Sequence, residues 1–202
     1  MKVLNLYAGL GGNRKLWTNC QITAIENNEK IASVYKRLYP DDTVIIADAH
    51  QYLLDHCEEF DFIWSSPPCQ TRSKMAKATR HKLRRYVDLS VEQEVIFLQH
   101  FFKGKWVVEN VNSFFSPLIP CKILGRHAYW SNFDIGDYVE EMPKDFINLC
   151  NVAGKNNLME WLGIFYQENI YYGSNHCPAQ ILRNCVHPNE GLEIFERATG
   201  LK

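Results

Sequence analysis

Short apolar runs alternate with polar and turn-forming segments through the first half of the chain. Five of these runs have the length and composition of buried β-strands, and amphipathic segments with helical spacing separate several of them. Such alternation is typical of an open, mostly parallel sheet with helices on both faces. We therefore predict a doubly wound, Rossmann-like α/β fold. The predicted strands are Val3–Ala8, Ile22–Ile25, Thr43–Ala47, Phe60–Trp64 and Trp106–Val108.

The same spacing predicts where the helices lie. A helix is expected over residues 13–19, directly after the first strand. Asn28 is expected to cap a second helix, whose apolar residues fall on one face. Ser90–Gln93 has the sequence of a capping box and predicts the start of a third helix. Further on, we predict a strand at Ile123–Phe133, a loop at 134–157, a short helix at 158–166 and a terminal helix around Leu192–Phe195.

The turn after the first strand contains Gly9, Gly11 and Gly12. Glycines at this point of a doubly wound fold let the backbone approach a ligand closely. The spacing is not G-x-G-x-x-G, so another adenosine-bearing ligand is favoured over a dinucleotide. Glu26 and Asp48 end the next two predicted strands. Because the carboxyl ends of parallel strands share one edge of the sheet, both carboxylates are expected beside the glycine turn.

A single cysteine follows the fourth predicted strand, in Ser65–Gln70. Two prolines end the strand, and Cys69 comes directly after them. A strand that ends in a rigid turn is one way to fix a nucleophilic thiol. A small buried residue after a turn is the other interpretation, since free cysteines are often that. Glu109 and Asn110 end the fifth strand at the same edge, which places a carboxyl group near the thiol.

The net charge of −1 argues against a general nucleic-acid binder, but the charge distribution does not. Seven of the 22 basic residues lie between Arg72 and Arg85, a stretch without an acidic residue. The rest of the chain has 15 basic and 23 acidic residues. A basic segment of this kind suits a phosphate backbone, although charged runs are commonly solvated loops. Its position beside Cys69 favours contact with a polyanion.

The seven cysteines predict a reduced, cytosolic protein. Their number is odd, no C-x-x-C occurs, and the sequence shows no secretory signal. No apolar run reaches membrane-spanning length, so no membrane association is expected. The spacing of His176, Cys177, Cys185 and His187 fits no usual zinc finger, and we predict that no metal is bound.

Together these motifs resemble those of DNA (cytosine-5)-methyltransferases that use S-adenosylmethionine. Asn5–Gly12 resembles the cofactor motif of that family, Pro68–Gln70 its nucleophile motif and Glu109–Val111 its acid motif. Gln180–Pro188 resembles the last motif, in which Asn-x-Val-x-Pro closes the cofactor pocket. The motifs occur in the order of the family and extend over most of the chain.

The resemblance implies a role for individual residues. Cys69 would add to C6 of a cytosine flipped out of the duplex, and Glu109 would stabilise charge near N3 of the ring. Arg126 or His127 is expected at the O2 edge of the base, and the sequence does not distinguish them. The implied cofactor residues are Tyr7, Ala8, Gly9, Gly11, Gly12, Glu26, Asn27, Asp48, Ala49, Pro67, Asn184 and Val186. The implied substrate-binding residues are Pro68, Gln70, Arg72, Ser73, Lys74 and Asn110.

The resemblance also implies double-stranded DNA as the substrate, in the cytoplasm of a bacterium or of a phage-infected cell. On this basis we divide the chain into a catalytic core at 1–133, a reduced target recognition region at 134–178 and a C-terminal segment at 179–202. The recognition region is much shorter than is usual in the family. A short recognition sequence of roughly two to four base pairs, or a partner protein that supplies specificity, is therefore expected.

Other functions stay open at this point. One branch of the family methylates tRNA, and a small recognition region does not exclude RNA. A regulatory DNA-binding subunit with the same fold is a second alternative, but it need not keep both Cys69 and Glu109. A thymidylate-synthase-like enzyme also attacks pyrimidine C6 with a thiolate. It is disfavoured because it acts on free nucleotides and lacks the glycine-rich opening.

Overall fold

The computed structural model describes residues 1–73, 86–171 and 176–202 and contains one seven-stranded sheet. The order of the strands across the sheet is β3-β2-β1-β4-β5-β7-β6. The predicted doubly wound α/β fold is thereby confirmed. The strands are β1 (Lys2–Leu6), β2 (Gln21–Ile25), β3 (Thr43–Ile45), β4 (Phe62–Ser65), β5 (Lys105–Val111), β6 (Lys122–Leu124) and β7 (His127–Ser131).

The order of the strands reverses between β1 and β4. These two strands pair in parallel, with Leu6 opposite Ser65, and the chain proceeds from them to opposite sides of the sheet. The first five strands are all parallel, whereas β7 pairs antiparallel with β5 and with β6. In open α/β sheets the crevice at such a reversal is where ligands bind.

Helices cover both faces of the sheet. The predicted cap of α1 (Glu29–Leu38) is confirmed, because the Asn28 side chain accepts hydrogen bonds from the backbone N–H groups of Lys30 and Ile31. The capping box predicted at Ser90 is wrong. The N-cap is Leu89 and makes no side-chain hydrogen bond, Asp88 accepts the Ser90 N–H at 2.9 Å, and Gln93, which would complete the box, lies 3.0 Å from His50. The helices are α1 (Glu29–Leu38), α2 (Ala49–His56), α3 (Ser90–Phe101), α4 (Val152–Leu162), α5 (Gln180–Arg183) and α6 (Pro188–Thr199), with 3₁₀ turns at Cys57–Glu59 and Phe146–Asn148.

The helix predicted at residues 13–19 does not form, and the chain makes turns there. The terminal helix α6 packs against this segment instead. Trp17 donates its indole N–H to the Gly191 carbonyl at 3.0 Å and stacks on Phe195 with ring centroids 4.8 Å apart. A Cβ on Gly191 would lie 2.1 Å from the Asn13 carbonyl oxygen, so the two segments are in direct backbone contact. Packing with a distant part of the chain has overridden the local helical pattern.

Two predictions for the second half also need correction. The strand predicted at Ile123–Phe133 is a hairpin, because the chain turns at Gly125, where φ is +57°. The helix predicted at 158–166 begins earlier, at Val152, and ends at Gly163, where φ is +62°. A glycine in the left-handed backbone conformation commonly ends a helix, and Gly163 ends α4 in this way.

Part of the predicted recognition region belongs to the core. Phe146, Leu158 and Leu162 pack in one buried cluster with Leu10 and Ile31. The segment therefore lies against the glycine turn and α1 rather than apart from them. The proposed division into core, recognition region and C-terminal segment stays a prediction.

Candidate active site

Two loops leave the sheet where the order of its strands reverses. Residues 7–12 follow β1 and residues 66–70 follow β4. The predicted glycine turn and the predicted nucleophile loop therefore lie side by side at the carboxyl edge of the sheet. Glu26 follows β2, and Glu109 lies in β5 one position beyond the residue paired with Ser65.

The three glycines of the turn have different surroundings. Gly9 has φ of +55°, and a Cβ there would meet nothing nearer than the Tyr7 carbonyl oxygen at 3.9 Å. A Cβ on Gly11 would instead lie 2.5 Å from the Tyr39 ring, and one on Gly12 would lie 2.4 Å from the Val186 carbonyl oxygen. Gly9 thus borders open space, whereas Gly11 and Gly12 permit close packing within the protein.

Glu26 is fixed beside this open space. Its two carboxylate oxygens accept the backbone N–H groups of Gly9 at 3.0 Å and of Asn28 at 2.9 Å. Burial raises the pKa of Glu26, and the backbone hydrogen bonds act in the opposite direction. The carboxyl group is thereby oriented toward the turn.

Asp48 lies farther along the same edge and is exposed. One of its oxygens accepts the Gln51 N–H at 2.8 Å and so caps α2. Two neighbouring residues that are also predicted to bind the cofactor differ in their exposure to solvent, since Asn27 is exposed and Ala49 is buried.

Tyr7 is held by a buried carboxylate that the sequence interpretation missed. Its hydroxyl donates to Glu94 at 2.6 Å, and the Ser65 hydroxyl donates to the other Glu94 oxygen. His50 Nδ1 lies 3.6 Å from the same carboxylate, and side-chain hydrogen bonding with Glu94, together with its charge, raises the pKa of His50. Glu94 is fully buried on the apolar stripe of α3 formed by Val91, Val95 and Leu98. The sequence did contain a signal for this, namely a charged residue at a position where the helical spacing predicts an apolar one.

The nucleophile loop is held from both sides. Asn110, predicted to bind substrate, donates from Nδ2 to the Pro67 carbonyl at 2.8 Å. The backbone N–H groups of Arg72 and Ser73 reach the Cys69 carbonyl at 3.0 and 3.2 Å. Pro67 is buried, Cys69 is half-buried, and Pro68 and Gln70 are exposed. The loop therefore presents its thiol from a fixed backbone.

Arg72 does not lie where a phosphate contact requires it. It is fully buried and makes two parallel hydrogen bonds to Glu92, at 2.7 and 2.8 Å. Its Nη1 also donates to the Asp88 carbonyl at 3.2 Å, and its guanidinium lies over the Phe115 ring at 5.1 Å. Because all of this occurs inside the protein, Arg72 supports the loop rather than contacting solvent. Lys74 and the rest of the basic segment to Arg85 lie outside the described residues.

Opposite charges act on the thiol of Cys69. Burial raises the pKa of Cys69 and the charge of Glu109 raises it further, whereas Arg126 lowers it. Arg126 lies at the β6–β7 turn, where its Nη2 donates to the Cys185 carbonyl at 2.9 Å and its guanidinium lies over Phe146 at 4.7 Å. The fold thus assembles the thiol, the acid and one arginine that sequence reasoning had singled out.

His127 lies behind Glu109. Its Nε2 is 3.8 Å from one Glu109 oxygen, and its Nδ1 is 3.4 Å from Glu190 on α6. The Tyr129 hydroxyl donates to the same Glu190 oxygen at 2.7 Å. All four side chains are buried, so the acid is supported by a polar cluster that includes the terminal helix.

The C-terminal segment packs against the glycine turn. Val186 is buried against Gly12, whereas Asn184 is exposed and accepts a hydrogen bond from Gln180 at 2.9 Å. The thiol of Cys185 faces the backbone of the turn and is fully enclosed there, which raises its pKa to about 12. His187 Nε2 lies 3.0 Å from the Trp161 carbonyl oxygen. Cys177, by contrast, lies beside Arg183.

Residues 1–117 match the family of C-5 cytosine-specific DNA methylases. The match covers more than half of the 202 residues and includes the glycine turn, the Cys69 loop and Glu109. The chain belongs to this family, and the resemblance inferred from its motifs is confirmed. Membership of the family supports methyl transfer as the class of activity and S-adenosylmethionine as the cofactor.

Several solved structures are similar to this chain. A methyltransferase from Entamoeba histolytica, EhMeth, is 12% identical with a TM-score of 0.55, over 100% of this chain and 99% of that one. A DNMT2 mutant from Spodoptera frugiperda is 24% identical with a TM-score of 0.43, over 56% of this chain and 36% of that one. A SAM-dependent methyltransferase from Agrobacterium tumefaciens is 14% identical with a TM-score of 0.40, over 57% and 40% of the two chains.

The likeness to EhMeth shows the methyltransferase fold over the whole chain. The chain spans about a third of the length of the Spodoptera protein. No match was found among curated proteins. In the part of the chain that the structure describes, no helix is both long enough and apolar enough to cross a membrane.

Proposed function

We propose that this protein transfers a methyl group from S-adenosylmethionine to C5 of cytosine in DNA, through a covalent bond between Cys69 and C6. The observation that carries the proposal is that β4 and β5 are paired neighbours and that Asn110, next to Glu109 on β5, holds the Cys69 loop through the Pro67 carbonyl at 2.8 Å. These groups lie at the reversal of the sheet, beside a glycine turn that borders open space.

The residues around Gly9 fit an adenosine-bearing cofactor. Gly9 has room on its Cα side for a ligand, and Glu26 is fixed next to it with its carboxyl group near the ribose position expected in this fold. Asp48 is exposed at the same edge, where it can accept an amine hydrogen bond. Behind the turn, Gly11 packs closely on Tyr39, and Gly12 packs closely on Val186. When bound, S-adenosylmethionine supplies an electrophilic methyl group.

Cys69 makes cytosine reactive toward that methyl group. C5 of cytosine is a weak nucleophile, and addition of a thiolate at C6 turns C5 into an enamine-like carbon. The loop fixes Cys69 through Asn110 and Arg72, so that the thiol has a defined position for addition to C6. After methyl transfer, loss of the C5 proton and release of Cys69 restore the aromatic ring and the enzyme.

Arg126, and Glu109 when it carries a proton that it donates to N3, stabilise the negative charge that develops in the ring. Glu109 is buried at the end of β5 and faces the N3 side of the base in this proposal. Arg126 rather than His127 is assigned to the O2 edge, because Arg126 acts on Cys69 whereas His127 lies behind Glu109. A cytosine reaches these groups only when it is flipped out of the duplex.

The covalent step is tested by trapping. DNA that contains 5-fluorocytosine cannot lose a proton from C5, so wild-type protein with S-adenosylmethionine should form a stable adduct with Cys69. Cys69→Ala should form none and should lose methyl transfer. Equal activity in both proteins would refute the mechanism and favour a regulatory, non-catalytic role.

The nucleic acid is identified by comparing tritium transfer from labelled S-adenosylmethionine to duplex DNA and to tRNA. Label in DNA is the expected result, and label in tRNA alone would contradict the DNA assignment. Bisulfite mapping of methylated random DNA then tests the size of the site. A short region at 134–178 predicts a consensus of roughly two to four base pairs, whereas six or more would contradict it.

A further inference from the structure

Two cysteines outside the candidate active site share one arginine. Cys150 lies directly before α4, and Cys177 lies shortly before α5. Arg183 Nη1 donates to the Cys150 sulfur at 3.0 Å, and its Nη2 donates to the Cys177 sulfur at 3.2 Å. The two thiols also interact with each other by a side-chain hydrogen bond. The sulfurs are therefore neighbours in space, although 26 residues separate them in sequence.

The position of the arginine does not depend on the sulfurs. Its Nη1 also donates to the Ile147 carbonyl at 2.5 Å, and its Nη2 donates to Gln180 Oε1 at 2.6 Å. The guanidinium is thus anchored by two oxygen acceptors while it faces two thiols. A fixed cation at this distance favours the thiolate form of a cysteine and disfavours a metal ion in the same place.

The two cysteines differ in access. Cys150 is exposed, whereas Cys177 is buried with 8% of its surface accessible. Contacts with Cys177 and with Arg183 lower the pKa of Cys150, whereas burial raises the pKa of Cys177. An accessible, activated thiol beside a second thiol is the arrangement of a thiol pair that reacts with an oxidant and then closes a disulfide.

We propose that Cys150 and Cys177 form a reversible disulfide site, in which Cys150 reacts first with a hydroperoxide and Cys177 resolves the product. The Cys150 sulfur attacks the peroxide, an S–O bond forms, the O–O bond breaks, and the leaving oxygen departs as water or an alcohol. The Cys177 sulfur then attacks the sulfenic acid, so that an S–S bond forms and the second oxygen leaves as water. The two thiols lose two protons and two electrons, which the peroxide accepts.

The site is separate from the proposed methyl transfer and does not depend on it. Arg183, which holds both sulfurs, is anchored by Ile147 and Gln180 and not by the Cys69 loop. A disulfide would join the start of α4 to the segment that leads into α5, and thus cross-link two parts of the predicted recognition region.

The test uses the full chain, reduced and then exposed to a small excess of hydrogen peroxide at pH 7. Free thiols are blocked with iodoacetamide, and the digest is analysed by mass spectrometry. We expect a Cys150–Cys177 cross-linked peptide that dithiothreitol removes, formed before Cys121 is oxidised. Cys121 is the matched control, because burial raises its pKa and it lies near Arg72 rather than Arg183. Oxidation of Cys150 to sulfinic acid without a cross-link would overturn the proposal.

Variants separate the roles of the three residues. Cys150→Ser should give no cross-link, and Cys177→Ser should leave a sulfenic acid on Cys150 that dimedone traps. Arg183→Met should slow the reaction about threefold or more, since a higher thiol pKa reduces the thiolate fraction more than it increases nucleophilicity. Arg183→Lys keeps the charge and should recover part of the rate. An unchanged rate in Arg183→Met would contradict the role given to the arginine.

Discussion

At the scale of single residues, two neighbours decide how reactive Cys69 is. Burial and the charge of Glu109 raise the pKa of Cys69, and Arg126 opposes them. A raised pKa means that the thiol stays protonated at neutral pH in the protein without ligands. In the proposed mechanism, Cys69 must therefore lose its proton before or during its addition to the base.

Alkylation measures this balance directly. The rate at which iodoacetamide modifies Cys69 should rise with pH beyond the ordinary thiol pKa of 9.0, because the pKa of Cys69 is higher than that. At pH 8, Glu109→Gln should accelerate modification on the order of fivefold, since removal of a negative charge favours the thiolate. Arg126→Met should slow it by a similar factor. Peptide mass mapping gives both rates.

Cys20 is the control for these two variants. It is half-buried, and Arg14 and Asp42 rather than Glu109 act on its pKa. Its modification rate should therefore be the same in wild type, Glu109→Gln and Arg126→Met. Equal acceleration of Cys20 and Cys69 in Glu109→Gln would indicate general loosening of the fold instead.

The sequence predicted which side chains meet, but not how the buried acids are used. Cys69 and Glu109 lie where predicted strands end, so periodicity and topology place them at one edge, whereas Arg126 was assigned only through the family resemblance. Glu92 and Glu94 lie on a helix, where local rules favour a capping box or an exposed face. Their partners, Arg72 and Tyr7, come from loops that no local pattern connects to α3.

At the scale of elements, one ion pair connects the nucleophile loop to α3. Arg72 and Glu92 are both buried, and removal of one partner leaves the other charge without compensation inside the protein. Glu92→Gln should therefore lower the free energy of unfolding by about 3–5 kcal/mol. The double variant Arg72→Met/Glu92→Leu should recover most of this loss, because it removes both charges. Urea unfolding of the wild type, Glu92→Gln and the double variant measures the free energy of unfolding of each protein.

The exposed pair between Arg37 and Glu168 is the control for this prediction. Both side chains are about half accessible to solvent. Glu168→Gln should leave the free energy of unfolding almost unchanged, because water solvates the remaining charge. If Glu92→Gln costs no more than Glu168→Gln, the ion pair does not support the loop.

Substitution of two glycines in the turn after β1 tests the different surroundings of each glycine. Gly9→Ala introduces a methyl group into open space at a left-handed φ, at a cost of about 1–2 kcal/mol. Gly12→Ala pushes against the Val186 carbonyl and Cys185 and should cost about 3 kcal/mol. The stabilisation of the protein by S-adenosylmethionine should fall in Gly9→Ala, since that methyl group points toward the proposed ligand. Thermal unfolding with and without the cofactor distinguishes the two effects.

Hairpins and turns were the elements that the sequence described least well. Gly125 and Arg126 interrupt an apolar run that otherwise reads as one strand, and the run folds back at these two residues. The helix predicted at 13–19 is absent for another reason. This segment packs against α6, which lies far away in the sequence. A contact between residues 174 positions apart cannot be inferred from local periodicity.

At the scale of the whole molecule, α6 joins the two ends of the described chain. Phe195 stacks on Trp17 and also contacts Phe62 at a centroid distance of 5.9 Å. Phe195→Ala should lower the free energy of unfolding by about 3–5 kcal/mol, because it leaves a cavity between α6 and the sheet. Phe165→Ala is the matched control, since Phe165 is exposed and its removal should change stability by less than about 0.5 kcal/mol.

The contact of Gly12 with Val186 also has a consequence for synthesis on the ribosome. Gly12 is translated well before Val186, so the segment that packs against the glycine turn leaves the ribosome only after the residues between them have been added. At roughly 5–20 residues per second, this leaves a delay on the order of 10–35 s during which the nascent chain has an open, unfinished site. The proposed cofactor site is therefore complete only after Val186 has left the ribosome.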